Sequence, residues 1–347
     1  MKTLRTTTIA AATTAMALHL LTAPARADAV SDFYSGKTVT IMIGNAAGGT
    51  YDLYGRAIAR FLGKYIPGSP RVIPQNLPGA ASYIAASHVF SVAPQDGTVI
   101  GAISAALPFQ PLIDPNSPKF DVQRVNWLPS PSTFTVVMIV RSDHPVKSID
   151  DLRQRETIMA TIAPGQLPSL IVAATNETLG AKIRAVSGHV SLNHAMLALE
   201  RGEIDGYPAV PVDALKRIYA KQMSEGKLRV LLQFGPAASP DHPAAPYALD
   251  LVRDPEDRAL LDLAQAPLKG GYLYMLGPGV PKDRQNALRE AFHKMFRDPE
   301  FLAEAERQTL NIDPVDAAKV ESLMVDAYNS PPRVVERMRE LYRRVFR

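Results

Sequence analysis

Gly44-Asn-Ala-Ala-Gly-Gly-Thr-Tyr-Asp-Leu-Tyr-Gly-Arg56, with Val39-Thr-Ile-Met-Ile43 ahead of it, is the stretch that decides the fold. The β-branched run before it reads as a strand. After it Leu53, Ala57, Ile58, Phe61, Leu62 and Tyr65 fall on one face of a helix. Between them, Ala46, Ala47, Gly48 and Gly49 let a ligand approach the backbone closely, and the first-turn N–H groups of the helix are free donors for an anion. The stretch reads either as a seat for a carboxylate or phosphate, or as a tight strand-to-helix turn whose glycines serve only the turn.

The same device recurs along the chain. Arg71-Val-Ile73, the turn-rich Gln75-Asn-Leu-Pro-Gly-Ala80, and a helix with Ile84, His88, Val89 and Val92 facing inward form a second unit. Thr98-Val-Ile-Gly-Ala-Ile103 is a continuous apolar strand of the buried parallel kind. Strands alternating with helices predict a parallel α/β sheet covered on both faces, whose ligands bind outside the carboxyl ends of the strands. The 44–52 loop, the 75–80 loop and Ser104 converge there. Residues 107–132 show no clear periodicity, and Phe134 to Val140 is a long strand. Further on, Glu156 to Thr161 and Ile183 to Ser187 read as strands, and Ala163 to Ser169 as a loop ahead of a helix. Ser191 caps the next helix, and Lys227 to Phe234 and Gly271 to Leu276 are strands before a helical carboxyl-terminal part.

Composition removes several classes of function. The 347 residues contain no cysteine, so disulfides, thiolate metal sites, thiol nucleophiles and a lipoprotein anchor are excluded. Lys2 and Arg5, the apolar run Ile9 to Leu21, and Ala25-Arg26-Ala27 read as an export leader over residues 1–27. Lys2, Arg5 and Arg26 carry three of the four net positive charges. The carboxyl-terminal Arg333, Arg337, Arg339, Arg343 and Arg344, interspersed with Glu336 and Glu340, read as a solvated helix face, with neither nucleic acid nor membrane expected as a partner.

No nucleotide loop, dinucleotide fingerprint or nucleophile elbow is present. His189 and His194 lie five apart with no third histidine nearby, and are read as one loop and one helix-surface residue; no metal or cofactor is expected. Ser104 and Ser169 follow strands without an identifiable base, which leaves an exported serine hydrolase as a minor alternative. Gly48, Gly49 and Asn76 are candidate donors from one half, and Gly165, Gln166 and Ser169 from the other. Asp52 is read as capping the first helix or tying down its loop, Asp205 as a ligand or structural acceptor, and Arg56 as solvent-facing. Tyr51, Tyr83 and Tyr207 are read as packing residues that could stack on a bulky ligand.

Gly36-Lys-Thr-Val-Thr-Ile-Met-Ile43 with Ala47-Gly48-Gly49, Asp52 and Arg56 resembles the first strand and loop of the tripartite tricarboxylate transporter receptors, the Bug proteins. The resemblance continues in order through Asn76-Leu-Pro-Gly-Ala80, Pro94-Gln-Asp-Gly-Thr98, Ser187-Gly188, Ala198 to Asp205, and Gly277-Pro-Gly-Val-Pro281. It implies a type II periplasmic-binding-protein fold, two α/β lobes with a ligand cleft between them. The expected division is residues 28–134 plus 271–347 for lobe 1 and 135–270 for lobe 2. It also implies a periplasmic receptor, not an enzyme, that closes by hinge motion on a small carboxylate and delivers it to a membrane permease. A sensor presenting the ligand to a signalling partner fits the same fold, and a monomer is expected. By position, Ala47, Gly48, Gly49, Asn76, Gly79 and Ala80 inherit the ligand-holding role in the first lobe, and Gly165, Gln166 and Ser169 in the second. Tyr51 and Ser82 stand where the family commonly has other residues, glycine in the second case, so the ligand need not carry over with the fold.

Overall fold

Short apolar strands that must bury both faces build two separate sheets here. A computed structural model describes residues 25–114, 117, 121–162, 165–189 and 191–345. The expected leader lies outside them, apart from residues 25–27, which begin the Ala25–Tyr34 helix. The strands are β1 (Thr38–Ile43), β2 (Arg71–Asn76), β3 (Val99–Ile103), β4 (Asn126–Leu128) and β5 (Val136–Arg141). They continue as β6 (Thr157–Ala160), β7 (Ile183–Val186), β8 (Gly206–Pro211), β9 (Leu228–Phe234) and β10 (Leu273–Leu276). They pair as two five-stranded sheets, β2-β1-β3-β10-β4 and β7-β6-β8-β5-β9.

The two orders are the same device used twice. In each sheet three parallel strands run in the order second, first, third, and the fourth is antiparallel and joins the sheet where the chain passes between the halves. The loops after β1, β2 and β3 therefore correspond to those after β6, β7 and β8.

Two crossing segments lie side by side. Residues 129–135 lead from β4 to β5, and residues 271–272 lead from the Pro255–Gly270 helix back to β10. Phe134 N–H donates to Leu268 O at 3.3 Å, and Tyr272 N–H to Ser132 O at 3.4 Å. Tyr272 is packed by Phe134 from the outward crossing and by Tyr51 and Tyr54 from the Thr50–Leu62 helix, with ring centroids 5.1, 5.0 and 4.0 Å away. Tyr54 also donates its hydroxyl to Asn311 O at 2.8 Å, and Asn311 Nδ2 donates to Ser132 Oγ at 3.0 Å. One aromatic cluster thus ties the first loop-bearing helix to both crossings.

Three sequence expectations change. Both sheets are mixed and not parallel throughout, because β10 and β5 enter at the crossings in the opposite direction to their neighbours. The Tyr83–Ser91 helix buries Ala85, Ala86 and Val89, and leaves Ile84 and Val92 exposed, because its small residues set the close face against β3. The carboxyl-terminal helix, Pro332–Val345, is not merely a solvated face. It packs on the Gln110–Ile113, Leu167–Leu179 and Pro255–Gly270 helices. Arg337 bonds Glu177 at 3.2 Å and Asp257 at 2.6 Å, and Arg339 Nε donates to Leu112 O at 2.9 Å. No helix among the described residues is long and apolar enough to cross a membrane.

Gly271 sits where the crossings touch, at φ 67° and ψ −134°, and a Cβ there would lie 1.7 Å from Ser132 O. Gly271→Ala is expected to destabilise the protein by more than ~2 kcal/mol in urea unfolding, since neither the backbone conformation nor the neighbouring carbonyl can yield cheaply.

Candidate functional site

Parallel pairing of β2, β1 and β3 brings three loops, 44–49, 77–82 and 104–106, to one edge of the first sheet. The ladder runs past the strand ends, with Gly44 N–H to Ala102 O at 2.9 Å and Leu77 N–H to Ile43 O at 2.8 Å. Side chains then brace the loops to one another. Asp52, in the first turn of the Thr50–Leu62 helix and only 3% exposed, accepts from Gly48 N–H and Arg56 Nε at Oδ2 and from Asn76 Nδ2 at Oδ1, each at 2.8 Å. Asn76 Nδ2 also donates to Asn45 O at 3.0 Å, and its Oδ1 accepts from Arg56 Nη2 at 2.7 Å.

Asp52 therefore ties down the loop, as its position in the sequence suggests. Arg56 is half-exposed but is not simply solvent-facing, because its guanidinium clamps Asp52 and Asn76 together. The side chain of Asn76 has both donor and acceptor engaged within the brace, so it positions the loops rather than offering a free amide. Gly49 is the N-cap of the Thr50–Leu62 helix and has no side chain to cap it, which leaves the first-turn amides without a side-chain partner.

The second loop is strained. Gly79, Ala80, Ala81 and Ser82 all have positive φ, at 139°, 43°, 56° and 75°. Three consecutive non-glycine residues in this region cost on the order of 1–3 kcal/mol each and persist only where surroundings over-determine them. Here the buried Ser82 does so: its Oγ accepts from Ser104 N–H and lies 3.1 Å from both Gly44 O and Asn45 Oδ1, to one of which it donates. The third loop is fixed by Tyr51, whose phenol oxygen accepts from Ala105 N–H at 3.1 Å and is hydrogen-bonded to the Ser104 hydroxyl. Burial raises the Tyr51 phenol above its ordinary range, so it stays protonated.

In the second half β6, β7 and β8 present the corresponding edge. Gln166 is the N-cap of the Leu167–Leu179 helix and makes no side-chain cap. Gly165 has φ 74°, and a Cβ on it would meet Gln110 Nε2 at 3.3 Å and the Tyr342 ring at 3.4 Å, so this loop lies against the first half and the carboxyl-terminal helix. Ser169 is fully buried one turn inside the helix, its N–H donating to Gln166 O at 3.0 Å.

Asp205 lies at the other end. It precedes β8, accepts from Ile158 N–H at 2.8 Å, and stands 3.5 Å from His144 Nε2. Its partners place it at the amino edge of the parallel strands, away from the loops, and it serves as a structural acceptor. A surface cavity of about 530 Å³ bounded by Arg141, Glu200 and Lys227 opens at that same far edge. Tyr207 is buried in the core, which removes it as a stacking platform. Among the described residues no group of three His, Cys, Asp or Glu side chains could hold a metal ion.

Burial alone would raise the Asp52 carboxyl, but the bonds from Arg56, Gly48 and Asn76 outweigh it and hold the group below the ordinary aspartate range. A carboxyl depressed in the folded state adds stability above its unfolded value of about 4 and loses it as pH falls through the folded value. Asp52→Asn is therefore expected to cost about 1–3 kcal/mol at pH 7 in urea unfolding. The gap from the wild type should narrow steadily below pH 4.

No family model matches the chain. A curated relative, the UPF0065 protein in the gbd 5′ region of Cupriavidus necator, is 27% identical over 251 residues, covering 70% of this chain and 72% of the relative. A TctC solute-binding protein from Polaromonas superposes with a TM-score of 0.65 at 19% identity, over 90% of this chain and 99% of its own. The periplasmic binding protein BugD gives 0.64 at 18%, over 90% and 98%. R. palustris Rpa4515, solved with adipate, gives 0.65 at 17%, over 87% and 97%. In fold, as in its run of sequence motifs, the chain resembles the TctC- and Bug-type solute-binding proteins.

Proposed function

We propose that the chain is a periplasmic receptor of the tripartite tricarboxylate type, which captures a small carboxylate between its two halves and delivers it to a membrane permease. The observation that carries this reading is the edge where three braced loops surround a helix N-terminus capped only by Gly49. Gly48 N–H is already spent on Asp52, so a carboxylate seated there would accept from the backbone amides of Ala47, Gly49 and Thr50 and of Gly79 and Ala80, with Tyr51 and Ser104 lining the floor. Arg56 takes no direct part. Its charge is already matched by Asp52, so the ligand meets neutral donors and is released without breaking a strong ion pair.

Gly165 and Gln166, opposite in the second half, would complete the enclosure when the halves close. Closure follows if ligand makes contacts in the shut form that the open form lacks, since only that differential affinity shifts the equilibrium. Asn76 and Asp52 hold the first-half loops in place for this. The relative with adipate bound supports an acid as the ligand class.

Gly49 offers a clean test, because its backbone (φ −81°, ψ 169°) suits any residue and a Cβ would meet nothing nearer than Ala46 O at 3.6 Å. In a thermal-shift screen of C3–C6 mono-, di- and tricarboxylates, one class of acid is expected to raise the melting temperature of the wild type. The stabilisation should reach about 2.7 kcal/mol at a hundredfold excess over Kd. Gly49→Leu gives up a favourable N-cap, so it should melt slightly below the wild type without ligand, and it should lose the response. A folded wild type that responds to no acid would overturn the carboxylate reading.

A further inference from the structure

The carboxyl-terminal helix, Pro332–Val345, follows the first half in the chain but packs on helices of both halves. Val334, Met338 and Leu341, spaced to share one face, are buried there. Its arginines are sorted by target. Arg333 lies 3.2 Å from Glu256, Arg337 2.6 Å from Asp257, 3.2 Å from Glu177 and 3.5 Å from Glu256, and Arg344 3.8 Å from Glu177, all acids of the second half. Arg339 Nε donates instead to Leu112 O of the first half at 2.9 Å, and the Tyr342 phenol is hydrogen-bonded to Asp114 beside it.

Arg337 is the centre of this seam. It is 24% exposed, and Glu177 and Asp257 are 25% each, so these pairs are screened less than surface ones. One guanidinium fork answers three carboxylates from two helices, which a point charge on a lysine cannot do equally well. The same helix also touches both ends of the Leu167–Leu179 helix. Glu177, in its last turn, is held by Arg337. Gly165, just ahead of its first turn, sits in a notch where a Cβ would meet Gln110 Nε2 at 3.3 Å and the Tyr342 ring at 3.4 Å. The second half therefore cannot swing away from the first without breaking the arginine seam or sliding the helix off Leu112 and Asp114.

We propose that Arg337 is a positioning residue. Through Glu177, Asp257 and Glu256 it holds the second half against the first, and so keeps Gly165 and Gln166 at the cleft before ligand arrives. Apparent affinity falls with the fraction of molecules in the competent arrangement, so loss of Arg337 weakens binding from a distance. This effect on ligand rests on the receptor reading above, whereas the hold on the halves does not.

The chain has no cysteine, so spin labels attach only at introduced ones, Val92→Cys in the first half and Arg253→Cys in the second, both at exposed positions. Double electron–electron resonance without ligand is expected to show a shifted and broader distance distribution in Arg337→Met, with Arg337→Lys between it and the parent. The acid of the C3–C6 series that most raises the wild-type melting temperature then serves as the probe in isothermal titration calorimetry. Its Kd should rise at least fivefold in Arg337→Met and less in Arg337→Lys, and saturating probe should restore the parent distance, which a merely destabilised protein would not do. If Arg337→Met fails to fold, Glu177→Gln takes its place and should shift the distribution in the same sense. An unchanged distribution in the folded variant would overturn the positioning role whether or not an acid binds. A shifted distribution with an unchanged Kd would overturn the link to ligand. A wild type that binds no acid would remove the receptor reading, and the distance measurement would still decide the hold on the halves.

Discussion

The Asp52 carboxylate is the interaction on which the loop-bearing edge of the first half depends. Buried to within a few per cent, it would be unfavourable as a lone charge, and it is held ionised by one guanidinium, one backbone amide and one side-chain amide. Those three partners come from the loop, from the helix itself and from the end of β2. The carboxylate therefore converts three separately flexible segments into one rigid rim. With Ser82 joining the second loop to the first and third, and Tyr51 reaching the third, no loop at this edge can move alone.

Rigidity at the rim is matched by rigidity at the crossings. Tyr272 collects Tyr51, Tyr54 and Phe134, and aromatic pairs of this kind are worth about 0.5–1.5 kcal/mol each beyond the area they bury. Tyr51 belongs to both systems, with its ring in the cluster and its hydroxyl on the third loop. The loop-bearing rim and the crossings that join the halves are thus mechanically continuous.

Much of this was legible in the sequence, for identifiable reasons. Parallel strands buried on both faces read as apolar runs, and small-residue loops before helices mark strand ends, so β1, β3, β6, β7 and the loops after them stand out. β4 does not: Asn126-Trp-Leu128 is three residues long and shows no period. The face of the Tyr83–Ser91 helix was misassigned because its buried side is made of Ala85 and Ala86 while larger apolar residues are exposed. Asn76 read as a free donor because spacing reports where a residue lies and not what its amide already bonds. Asp205 follows a family-like motif, and only the register of β8 against β6 places it at the far edge.

The strand order has a mechanical consequence. β3 and β8 are immediate neighbours of the crossing-side strands β10 and β5, whereas β2 and β7 stand three strands away. With neighbouring strands about 4.8 Å apart, the outer loops sit roughly 14 Å from that axis and the inner ones about 5 Å. Any rotation of one half about the crossings would sweep the 77–82 loop nearly three times as far as the 104–106 loop. An inner loop at this spacing is a nearly fixed reference, and an outer one is a pointer whose travel would magnify any change in the angle between the halves.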